Sequence, residues 1–128
     1  MKRFCQVIEL RKQYKEEYLK YVMSVEAESD RRQHAPGLKK AHIEDYSISF
    51  LPVPVYPSTD PEIAGLLIAS FKYSGNDLEG DMKDLAADPE TQRWWKLTDP
   101  MQKSLVKGAT GSADGEWWLN IDEVFRLD

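Results

Sequence analysis

The residues best suited to chemistry in this sequence are aromatic. Trp94 and Trp95 stand side by side in "PETQRWWKLTDP", and Trp117 and Trp118 form a second pair, so all four tryptophans occur as doublets. Successive helical residues project about 100° apart, so adjacent indoles in a helix face different surroundings. One can join a core while the other walls a pocket. An indole face packs against the apolar C–H patches of a sugar ring, and its N–H can donate to a hydroxyl. Arg93, next to the pair, can add a charge-assisted hydrogen bond or simply pair with an acidic neighbour. The second doublet follows "GATGSADG" (108–115), whose small polar residues read as a flexible arm. Docking that arm onto the body, or onto a dimer partner, is the expected task of Trp117 and Trp118.

Other chemistry is thinly supplied. Asp81, Asp84, Asp88 and Glu90 cluster in sequence near the first doublet. Such runs are usually solvated helix faces, although a carboxylate buried beside the indoles would have a raised pKa and could serve as an acid. Tyr18 can be read as core packing or as a hydroxyl placed in a cavity between helix and sheet. Two histidines, His34 and His42, and one cysteine, Cys5, give no metal-ligand spacing. The glycines of 108–115 do not form a phosphate-binding "GxGxxG".

These side chains must be positioned by a short series of elements. "RFCQVIEL" (3–10) reads as a strand. Over 12–29, Tyr14, Tyr18, Val22 and Val25 recur at helical spacing, widened by Leu19 and Met23. "DRRQHAPGLKK" breaks that pattern at Pro36 and Gly37. "DYSISFL" (45–51) is a second strand. Pro52, Pro54, Pro57 and Pro61 then rule out regular structure, which leaves a long hairpin loop over about 52–64. "LLIASFKY" (66–73) is the most apolar strand and belongs centrally in a sheet. "GNDLEGDMKDLAAD" predicts a helix capped by Asn76 or Asp77, and Pro89 ends it or starts a third short helix. "DEVFRLD" predicts a closing strand. The order strand, helix, strand, strand, helix, strand is the split βαβ arrangement of an α+β, ferredoxin-like fold with one antiparallel sheet. So small an open sheet needs cover, and a twofold dimer supplies it.

The chain has 128 residues, which suits a single domain over 1–128. The net charge of −5 argues against nucleic acid as a partner, because phosphate contact needs a basic face. No apolar run approaches the roughly 20 residues of a membrane span. "MKRFCQVIEL" lacks the apolar region and cleavage site of a signal peptide, and a lone cysteine suits a reducing, cytoplasmic location.

At "TQRWWKLTDPMQ" the sequence resembles the L-rhamnose mutarotase family, with "QRWW" as the most specific feature. "FCQVIELRKQYKEEYLKY", "IEDYSI", "LLIASFKY" and "EVFRLD" match in the same order. The resemblance implies a dimeric α/β barrel of ferredoxin-like subunits with a sugar pocket between sheet and helices. It also implies a cofactor-free exchange of the α and β anomers of L-rhamnose or a related 6-deoxy sugar. Carried over position by position, it assigns Tyr18, Tyr46, Trp94 and Trp95 to substrate binding. The family's catalytic histidine, one helical turn after the tyrosine and followed by a "VWPE"-like segment, falls on Val22, which has no exchangeable side-chain proton. The general acid is therefore unassigned. His34 reaching in from its loop, Asp45, or a carboxylate near the indoles are the substitutes. A loop histidine is more plainly read as solvated. Two functions remain open: an isomerase, impaired by Val22, or a non-catalytic sugar-binding or interaction protein of the same fold.

Overall fold

The structure, a computed structural model, describes residues 2–23 and 38–127, with the side chains of Val22 and Met23 outside that description. His34 and the remainder of the expected 12–29 helix lie outside the described residues. Strand β1 spans Lys2–Arg11, β2 Ile43–Pro52, β3 Ile63–Tyr73, β4 Gln102–Lys103 and β5 Leu119–Ile121. The helices are α1 (Lys15–Met23, after a 3₁₀ turn at Lys12–Tyr14), α2 (Leu78–Ala87) and α3 (Pro89–Thr98). The strands form one antiparallel sheet in the order β2–β3–β1–β4, with β5 also pairing β1. The expected βαββαβ order is present, and "LLIASFKY" is internal to the sheet.

Strand residues alternate between faces, and the pairing Phe4↔Phe71, Ile8↔Leu67 and Leu10↔Gly65 defines the helix-covered face. Two buried clusters fill it. Ile8, Leu10, Tyr18, Leu67 and Met101 form one, with Trp117 and Trp118 packed on it. Ala41, Ile43, Phe71 and Leu85 form the other, with Met82 and Trp95 against it. The arm thus docks onto the body through its doublet. On the opposite face the proline-rich loop is tied down: Tyr56 donates to Glu9 at 2.7 Å, and Lys103 donates to Asp60 at 2.9 Å.

Helix ends follow their caps. Asp77 accepts from the Gly80 amide at 3.1 Å, and Asp88 accepts from the Thr91 amide and hydroxyl, with Pro89 opening α3. The closing strand differs from expectation. Pairing occurs at Leu119–Ile121, and 122–127 carries no strand. "EVFRL" has strand-forming residues but joins no strand ladder among the described residues, and Val124, Phe125 and Leu127 stand exposed.

Two irregularities matter for the site. Between Glu44 and Ser47 the β2–β3 register slips: Glu44 faces Lys72 and Ser47 faces Ser70, so three β2 residues span two steps of β3. Asp45 takes up the slack with a left-handed φ of 51°. Without the bulge, strict alternation would turn Tyr46 away from the helices; with it, Tyr46 stacks on Phe71 at 5.8 Å. The second irregularity is at the other edge. Lys103 pairs Glu9 and Leu119 pairs Val7, so sixteen residues of chain advance the ladder by only two positions of β1. The arm between β4 and β5 is an excursion from a single edge line.

Candidate sugar site

A cavity of about 420 Å³ opens between the helix-covered face, α2, Trp95 and the arm. Its aromatic walls are Tyr46, Phe71, Trp95, Trp117 and Trp118. The arm is held over it by Asp99, which accepts from the Ser112 amide at 2.9 Å and from its hydroxyl at 2.5 Å. Ser104 fixes the near end, donating to the Trp117 carbonyl at 2.5 Å. Both tryptophan pairs contribute to one cavity, which the sequence does not announce.

The first doublet divides as adjacent helical residues must. Trp95 lines the cavity, whereas Trp94 packs against Tyr21 at 5.4 Å. Tyr18 sits behind the wall, only 2% exposed. Its neighbour Gln102, 3% exposed, hydrogen-bonds the Tyr18 phenol and accepts from Trp117 Nε1 at 2.9 Å. Gln102 is therefore the polar joint between helix, edge strand and arm, and a lone glutamine at a strand start offers no pattern by which to find it. Asp81, Asp84, Asp88 and Glu90 are not on the wall. Asp81 bonds His42 and Tyr73, Asp88 caps α3, and Glu90 pairs with Arg93 at 3.2 Å.

Burial pushes the Tyr18 phenol up to about 12, with the Gln102 hydrogen bond working against the rise. Tyr46 is also shifted upward, first by desolvation and then by Tyr18. Tyr46 is 42% exposed and lines the cavity. Both phenols stay protonated and able to donate at neutral pH. An unfolded tyrosine ionises near 10, whereas folded Tyr18 holds its proton to about 12. Its contribution is complete below pH ~10 and lost as pH rises toward ~12, on the order of 2–3 kcal/mol. Urea midpoints should therefore fall steeply across that window, and phenolate absorbance should show late-titrating tyrosines that ionise only on unfolding.

A family profile described as L-rhamnose mutarotase matches residues 3–127. The chain belongs to the L-rhamnose mutarotase family. The crystal structure of an L-rhamnose mutarotase from Formosa agariphila superposes with a TM-score of 0.60 at 19% identity, covering 100% of both chains. That likeness confirms the mutarotase fold. A search of curated protein sequences found no match. Among the described residues no helix is long and apolar enough to cross a membrane, and no group of three or more His, Cys, Asp or Glu is placed to hold a metal ion. Relative to the mutarotase pattern, Val22 lies in α1 one turn beyond Tyr18, with its side chain outside the described residues.

Proposed function

We propose that this protein interconverts the α and β anomers of L-rhamnose or a related 6-deoxy sugar, without a cofactor. The supporting observation is the indole-walled cavity in a chain of this family. The sugar's apolar faces lie against Trp95 and the second doublet, and its hydroxyls meet the Tyr46 phenol. Tyr18 backs that wall through Gln102, and Trp94 supports it from the far side of α3. With Val22 in the histidine's place, turnover is slower than in a histidine-bearing relative. A homodimer is part of the reading: Val124 and Phe125, 96% and 80% exposed, suit burial against a second copy. A cytoplasmic location accords with the free, half-buried Cys5.

Val22 equally favours a second reading, a sugar-binding protein with no turnover. Saturation-transfer NMR on L-rhamnose and L-fucose separates the two. Exchange faster than in buffer is expected; binding without faster exchange establishes the second reading. Trp95→Ala should weaken sugar affinity by about tenfold, or ~1.4 kcal/mol. An unchanged dissociation constant would remove Trp95 from the site.

A further inference from the structure

We propose that Glu116 is the catalytic base of this chain, taking the place of the histidine that position 22 lacks. This assignment rests on the mutarotase reading above. Glu116 lines the cavity between Trp117 and the arm's glycine turn, with Trp95 and Tyr46 on the same cavity. Glu116 is exposed at the cavity mouth, and hydrogen bonds orient its carboxylate. Asn120 Nδ2 donates to Glu116 Oε1 at 3.1 Å, and Gln6 Nε2 donates to Asn120 Oδ1 at 3.0 Å. Gln6 and Asn120 face each other across the β1–β5 pairing, so the relay is anchored in the sheet. A base oriented by a second group that is itself fixed is the arrangement acid–base catalysis needs.

The other titratable groups on the cavity are less suited. Glu79 and Lys83 are committed to each other, paired at 3.5 Å one turn apart on α2. Tyr46 holds its proton. No cation pairs with Glu116 among the described residues, so its second oxygen is available to the substrate.

The two oxygens of a carboxylate are spaced like the two oxygens on a hemiacetal carbon. Glu116 removes the proton from the anomeric hydroxyl. The C1–O1 double bond forms as the C1–O5 bond breaks, and the electron pair of that bond goes to O5. O5 then takes the proton back from the Glu116 carboxyl. The open-chain aldehyde rotates about C1–C2, and the same steps run in reverse on the other face. Glu116 ends as it began, and no second acid is consumed.

The test is saturation-transfer exchange of L-rhamnose by the full chain, with sugar affinity measured in parallel. Glu116→Gln should lower exchange by about 100-fold while the dissociation constant stays within about twofold. Asn120→Ala, which removes only the aiming amide, should lower exchange by about tenfold with binding unchanged. Exchange at the wild-type rate in either variant overturns the assignment while leaving the mutarotase reading intact. A wild-type protein no faster than buffer overturns both.

Discussion

Trp117→Ala should destabilise the fold by about 3 kcal/mol, measured as a fall in urea midpoint at unchanged slope. Two effects add. The indole packs on the Ile8, Leu10, Tyr18, Leu67 and Met101 cluster, so truncation leaves a hole where the arm meets the body. It also strands Gln102, which is 3% exposed and accepts from Trp117 Nε1. An orphaned buried amide oxygen costs about 1–3 kcal/mol on its own. Trp117→Phe separates the terms, because it keeps most of the ring and loses only the donor; about 1–2 kcal/mol is expected for it. Sugar affinity should fall in the alanine variant, since one wall of the cavity goes with the side chain. A loss below about 0.5 kcal/mol for Trp117→Ala, the level of an ordinary surface change, means the arm is not docked in solution.

Val22→His should raise anomer exchange by at least about tenfold, within the ~10²–10⁴ that positioned acid–base groups contribute. Helix α1 runs through Met23, so position 22 follows Tyr18 by one turn on the same helical face. Tyr18 on that face is tied to the cavity wall through Gln102, which hydrogen-bonds its phenol and accepts from the cavity-lining Trp117. Val22→Asn is the control: similar in size, polar, and unable to act as an acid at neutral pH. Equal rates in the two variants refute the gain. Because histidine would bring a proton-transfer group of its own, Val22→His should restore exchange to the Glu116→Gln protein.

The sheet and the helix starts were legible because they depend on local chemistry. Asp77 and Asp88 cap as their residue types predict, Pro89 opens α3, and the unbroken apolar run of β3 marks an internal strand. Composition placed the aromatic residues, but not their aim. Tyr46 reaches the cavity only through the bulge at Asp45, whose left-handed backbone follows from tertiary pairing. The closing strand was misplaced for a similar reason. Strand-forming residues at 122–127 join no strand ladder among the described residues, whereas Leu119 meets Val7 because the arm returns there. Glu116 and Gln102 gave no signal in one dimension. Their roles depend on which side chains a fold brings within hydrogen-bond reach from fifteen residues away for Trp117–Gln102, and from the far end of the chain for Gln6–Asn120.

The arm leaves and rejoins the same edge of β1, with β4 and β5 as its two hinges on one line of the sheet. In evolutionary terms it is a cassette. It carries Glu116, Trp117 and Trp118 together, and its clasps at Ser104 and Asp99 lie close to its base. Changes at Ser112, Ala113, Gly115 or Glu116 would reshape the chamber, while the pairing of β4 and β5 with β1 lies outside them. Grafting the corresponding segment between relatives would therefore exchange base and sugar wall in one step, on a sheet that does not have to refold around the change.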